Sequence, residues 1–263
     1  MGVMQTREHR SMTIFDEATA VRRIEEGRYE VLPDQRFALV VPGGSTPPAV
    51  NGGVLIATVL RAVLDCSPLP HPVATSAHFL RVAKLAPAQI HVSWLKTGRT
   101  ASTARATLIQ DDEPILETTV TTGTVPVSSP AAHEGDLSWT DVPPVLPPPE
   151  ECVELGPWPG TVAADGTQGY AAQVMQLFDP AVIGWRYGNP AGLPQMRAYF
   201  GLREERDPDA LMLALAVDGL PPVVFGLGAT GWAPTVELTM YMRMVPAPGL
   251  LRVAARCRHV SGG

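Results

Sequence analysis

SAHFLRVAKLAPAQIHVSWLKTG (residues 76–98) can be laid over LTMYMRMVPAPGLLRVAARCRHV (residues 238–260) without a gap, and Arg81 then falls on Arg243. Both stretches read as an alternating strand, a Pro-bearing turn and a second alternating strand. Working outward, an apolar helical stretch precedes each copy. The first, NGGVLIATVLRAVLDC (51–66), is opened by Asn51 as cap, with Gly52 and Gly53 in its first turn. The second starts at Asp209, with Asp207 read as cap and Pro208 as first helical position, and Pro221 and Pro222 end it near Gly219. A strand precedes each helix, in RYEVLPDQRF (28–37) and MRAYFGLREE (196–205). One strand–helix–strand unit thus occurs twice, and duplication is the economical reading.

After its copy of the repeat the first unit continues with two more strands, ASTARATLIQDD (101–112) and PILETTVTTG (114–123). The second copy reaches Gly263 before any counterpart of these. The second unit is therefore expected to lack its final strands, leaving a sheet edge and a core face to be covered from elsewhere. Between the units, prolines at 143, 144, 147, 148 and 149 break every periodicity. The expected organisation is an N-terminal unit over 12–123, a Pro-rich linker over 124–160 and a C-terminal unit over 161–263, in the α+β class.

Composition narrows the function. Apolar residues make up 45% and charged residues 17%, which is the balance of a folded chain rather than a disordered one. A formal charge of −6 with no Lys/Arg cluster argues against a nucleic-acid partner. No run approaches the roughly 18 apolar residues of a membrane span, so no membrane association and a cytoplasmic location are expected. Cys66, Cys152 and Cys257 are far apart and read as buried free thiols. Lysine occurs only at positions 84 and 96 while Ala, Gly and Pro abound, a bias of GC-rich bacterial genes. In that setting the myristoylation-like MGVMQT at the start is discounted, and Met12 offers an alternative first residue.

Among chemistry-bearing residues, Asp218 stands out as one acid in an apolar helix, about one turn before its expected end. Burial raises such a carboxyl's pKa, and the negative end of the helix dipole pushes the same way, which suits a general base. The plain alternative is a cap on the amides of the turn GLPPVVF (219–225). Thr235 opens the following strand and could share a water with Asp218, though a β-branched strand residue is an equally simple reading. Gly52 and Gly53 either let a ligand approach free helix-terminal amides or pack the helix closely. Six histidines show no metal spacing, and no nucleophile elbow or phosphate loop is present, so neither a metal nor another cofactor is expected.

NGGVLIATVLRAV (51–63), the FLR of 79–81, QDDEPIL (110–116), AVDGLPPVVF (216–225) and PTVELTMYMR (234–243) together resemble the acyl-CoA thioesterase II family. The resemblance implies a double hotdog, two long helices each wrapped by an antiparallel sheet. It also implies a thioester hydrolase acting on acyl-CoA or a related acyl thioester, with Asp218 and Thr235 holding the attacking water and Gly52 and Gly53 at the substrate. The family's third water-binding group, a Gln, falls on a strand beyond Gly263. A non-catalytic acyl-thioester-binding or assembly protein is therefore the alternative, and an open second-unit edge would favour a homo-oligomer. A hotdog dehydratase finds no suitably placed histidine.

Overall fold

The chain enters through a short helix, α1 (Ile14–Ala18), whose first turn is capped by the Thr13 hydroxyl accepting from the Asp16 amide. The structure is a computed structural model that describes residues 12–39, 48–127, 144–156, 169–231 and 233–261. The N-terminal MGVMQT, GGST (43–46) and most of the Pro-rich linker lie outside these residues.

Strands β1 (Arg22–Glu25) and β2 (Arg28–Val31) turn at Gly27, whose φ of 69° is left-handed. The paired β2 covers only the start of the expected 28–37 strand, because a 3₁₀ turn capped by Asp34 takes Gln35–Phe37. A two-residue ladder, β3 (Ala38–Leu39) with β4 (Ala49–Val50), leads into helix α2 (Gly52–Asp65). Asn51 caps α2 as read, its side chain accepting from the Val54 amide. Strands β5 (His71–Phe79), β6 (Ala88–Lys96), β7 (Ser102–Gln110) and β8 (Glu113–Gly123) then wrap it.

In the second half β9 (Val153–Glu154) comes first, followed by α3 (Tyr170–Gln173), β10 (Val174–Phe178) and β11 (Gln195–Leu202). Helix α4 (Ala210–Val217), β12 (Glu237–Tyr241) and β13 (Leu251–Arg256) complete it. Val153 and Glu154, read within the linker, pair with Phe178 and Leu177 and so edge the second sheet. The helix cap also differs from the reading. Asp209, not Asp207, is extended and accepts from the Met212 amide, because Asp207 precedes Pro208 and is two residues too early to reach that amide.

The sheets explain the repeat. One runs β1-β2-β6-β7-β8-β5-β12 and the other β13-β11-β10-β9. β12 of the second half pairs antiparallel with β5 of the first, Leu238 opposite Ala77, so the two units share one sheet. β13 pairs with β11 as β6 pairs with β2. Between β6 and β5 the first unit has β7 and β8, whereas among the described residues nothing pairs on the outer edges of β13 and β12. This is the α+β double hotdog, and among the described residues its second unit has no counterparts of β7 and β8. In α4, Leu211, Met212 and Leu215 are buried, and Val217 at its end is 49% exposed.

The two central helices lie against each other, and one core runs through both, from Ile56 and Leu60 of α2 to Met212 and Leu215 of α4. A charged network pins their surroundings. Arg206 donates to Asp16 at 3.1 Å and to Asp209 at 2.7 Å, lies 5.1 Å over the Phe15 ring, and is nearly buried. Arg61 of α2 holds the same Asp16 at 2.8 Å. Burial alone would raise the Asp16 pKa, but the two guanidinium groups outweigh it and hold the carboxyl at about 2.

Arg206→Met is therefore expected to lower stability by about 2 kcal/mol at pH 7, between exposed and fully buried pairs. A carboxyl depressed on folding stabilises above its unfolded pKa of 3.8 and loses that contribution as pH falls toward 2. Denaturant unfolding at pH 7 and pH 3 should show the deficit shrinking at the lower pH. An equal deficit at both would remove the ion pair as its cause.

Candidate active site

Asp218 is where α4 stops. It is the C-cap residue rather than a position one turn inside, and its amide bonds back to the Ala216 carbonyl. Pro221 and Pro222 carry the chain away, through a 3₁₀ turn (Val223–Leu227) and left-handed Gly228 and Gly231, to Thr235 just before β12. This return brings the Thr235 hydroxyl back to donate to Asp218 Oδ1 at 2.9 Å.

The first unit supplies the other side. The Gly53 amide in the first turn of α2 donates to the Asp218 carboxylate. Asn51 donates from Nδ2 to the Asp218 backbone oxygen at 3.4 Å while its Oδ1 caps Val54. Asp218 therefore stands between the negative end of α4 and the positive end of α2. Burial raises its pKa above the ordinary 3.8, and the Thr235 and Gly53 bonds only partly oppose this. The nearby Tyr170 phenol is pushed up by burial and by the Asp218 charge, so it stays protonated. The alternative of Asp218 as a cap for its own turn does not match these bonds.

Both glycines are explained by contact. A Cβ on Gly52 would lie 2.5 Å from Asp218 Oδ2 and 2.9 Å from the Phe79 ring. One on Gly53 would lie 2.8 Å from the Ala214 carbonyl oxygen and 2.9 Å from Leu215 Cα. Gly52 thus leaves room for the acid, and Gly53 lets α2 pack closely, against α4.

Asp218, Thr235, Asn51 and Gly52 open onto a cavity of about 1120 Å³ between the halves. Its walls are mostly apolar, among them Leu55, Phe79, Trp185, Leu220 and Phe225. Among the described residues that line it, Asp218 is the only carboxylate and Arg81 the only cation. Arg81 is at the rim, bonded to Glu113 at 2.6 Å. Such a space suits a ligand with a long or bulky apolar part and a polar junction at Asp218. Glu237 and Thr239, on the polar face of β12, are exposed and bond each other at 2.6 Å away from the cavity.

Two wall residues had no sequence signal. Tyr170 and Gln176 are buried beside Asp218 and both donate to the Gly219 carbonyl, at 3.0 and 2.5 Å. Gln176 could have been noticed only as a polar residue in the apolar alternation of VMQLF (174–178). Among the described residues no group of three His, Cys, Asp or Glu side chains is placed to hold a metal. No helix among them is long and apolar enough to cross a membrane.

Known proteins share the sequence pattern and the fold. Residues 41–123 match the family model described as acyl-CoA thioesterase N-terminal domain, and residues 149–263 the model for the C-terminal domain. An uncharacterised protein of Mycobacterium tuberculosis (strain ATCC 25618 / H37Rv) is 30% identical over 230 residues, 80% of this chain and 76% of that protein. A solved candidate thioesterase II from Thermobifida fusca is 34% identical with a TM-score of 0.81, covering 96% of this chain and 88% of its own. A hot dog fold protein from Alicyclobacillus acidocaldarius shares 21% identity with a TM-score of 0.75 over 96% of this chain and 89% of its own, a likeness of fold.

Proposed function

The chain belongs to the acyl-CoA thioesterase II family, and from that premise we propose that it hydrolyses an acyl thioester such as acyl-CoA by direct attack of water, with Asp218 as general base. One observation carries the reading: a single buried carboxylate, bonded to a threonine hydroxyl and a helix-terminal amide, on the wall of an apolar cavity.

The chemistry follows from those contacts. A water held by Asp218 and Thr235 gives its proton to the carboxylate as its oxygen bonds the thioester carbonyl carbon. With the Gly53 amide engaged by Asp218 and the Val54 amide by Asn51, the Gly52 amide, at the first helical position, is the donor for the developing oxyanion. Collapse breaks the carbon–sulfur bond, and the proton passes from Asp218 to the leaving thiolate. Carboxylic acid and free thiol leave, with no covalent intermediate on the chain.

A panel of acyl-CoAs of graded length, followed by thiol release, tests this. Turnover that rises with chain length to an optimum is expected from the size of the cavity. A well-folded protein that turns over none of them overturns the hydrolase. The second reading is an acyl-thioester-binding protein without turnover, which the same apolar cavity would serve. Calorimetric binding of acyl-CoA without thiol release would establish it.

A further inference from the structure

We propose that Tyr170 and Gln176 are positioning residues for Asp218, acting as a two-donor clamp on the carbonyl oxygen of Gly219. The proposal rests on the hydrolytic reading, since it gives the clamp a base to position.

β10 explains why the pair is not ordinary core. Its inward face is Val174, Gln176 and Phe178, and Gln176 is only 4% exposed. An amide between two apolar side chains costs stability unless it is bonded. Its Nε2 reaches the Gly219 oxygen at 2.5 Å, a contact 43 residues away in sequence. The Tyr170 hydroxyl, 8% exposed as a residue and neutral because burial raises its pKa, donates to the same oxygen at 3.0 Å.

The target is the peptide unit that follows the acid. A helix end leaves its last carbonyls without intrahelical partners: the Gly219 amide still donates to the Ala216 carbonyl at 3.2 Å, but its own oxygen is directed away to Tyr170 and Gln176. Gly219 admits the clamp because it lacks a side chain: a Cβ there would lie 2.7 Å from the Tyr170 hydroxyl, from the Phe200 ring and from the Leu215 carbonyl oxygen. The backbone of Asp218 is thereby held from both halves, by Asn51 on its own carbonyl and by Tyr170 and Gln176 on the next. The carboxylate is then free to meet Thr235 and Gly53 in one geometry, as a general base requires.

The test compares Tyr170→Phe, Gln176→Met and the double variant, each in the parent and in an Asp218→Asn background. Two donors on one acceptor partly substitute for each other. Each single variant should lose about 5-fold in kcat, and the double about 50-fold, more than the product, with KM within about twofold throughout. In the Asp218→Asn background the same changes should cost less than twofold, because there is no base left to position. Equal losses in both backgrounds, or a folded double variant within twofold of the parent, would overturn the clamp. Should the parent hydrolyse nothing, the hydrolytic reading fails separately, and the clamp is read from the carboxyl-carbon NMR resonance of Asp218, assigned by its loss in Asp218→Asn. A resonance displaced in the double variant supports the clamp, and an unmoved one overturns it.

Discussion

Asp218→Asn is expected to reduce kcat for acyl-CoA hydrolysis at least a hundredfold, to leave KM within about threefold, and to raise rather than lower the melting temperature. The first effect is the ordinary contribution of a positioned general base. The amide keeps the size of the carboxyl and its place beside Thr235 and Gly53, so cavity and substrate contacts survive. The third effect is less usual for a substitution at a buried site, and it follows from the direction of the pKa shift. Burial lifts the folded-state pKa of Asp218 above 3.8. The folded state therefore holds a proton more tightly than the unfolded chain, and the acid's contribution to stability is lost as pH rises from 3.8 through the raised value. At neutral pH the charge is a burden that the amide does not carry, an instance of function placed at the expense of stability. The thermal gain should be absent below pH 3.8. The groups facing the acid, the Thr235 hydroxyl, the Gly53 amide and the neutral Tyr170 phenol, carry no charge that would blur the profile. Parent kcat should accordingly fall on the acid side through one carboxyl group titrating above its ordinary range, a limb the variant lacks. An Asp218→Asn variant that hydrolyses at the parental rate would end the assignment of Asp218 as base.

The second large effect separates two adjacent glycines. Gly53→Ala places a methyl group against the backbone of α4, within 2.8 Å of the Ala214 oxygen and 2.9 Å of Leu215 Cα. Backbone cannot rotate aside as a side chain can, so the helices must part. The expected cost is about 3 kcal/mol, at the upper end of overpacking, or roughly 6–12 °C in melting temperature for a chain of this size. Gly52→Ala instead meets Asp218 Oδ2 and the edge of Phe79, both side-chain atoms that can give way. Its melting temperature should fall far less while kcat drops at least tenfold, because the carboxylate is pushed off its water-holding position. If both variants lost stability equally with activity intact, the contrast between a packing glycine and a site glycine would be wrong.

What the sequence made legible follows from range. The cap of α2, the alternation of β5 to β8 and the gapless repeat are local or periodic, and the repeat makes β12 the counterpart of β5, with which it pairs in the structure. The cap of α4 was misplaced by two residues because Asp207 and Asp209 flank one proline and are equally good caps in isolation. Reach distinguishes them, since only Asp209 stands three residues before the Met212 amide it accepts from, and Arg206 holds it there. Asp218 was conspicuous because charge in an apolar run is a local anomaly. Its meeting with Thr235, 17 residues on, was one of two open readings until the family resemblance favoured it, since no spacing rule measures the path of an irregular loop. Tyr170 and Gln176 stayed invisible because their partner is a backbone carbonyl, which every residue possesses and no sequence pattern marks.

The Gly53 amide of one half bonding the carboxylate of the other has a consequence for how the molecule comes apart. The proposed catalytic geometry exists only while α2 and α4 are docked, so on that reading turnover reports on the docking as directly as any spectroscopic probe. A ligand in a cavity with walls from both halves binds the docked form alone, and by mass action it raises the free energy of their separation by RT ln(1 + [L]/Kd). On the proposed reading, substrate acts as a reversible staple across the seam, and the halves are held together most firmly when there is thioester to cleave.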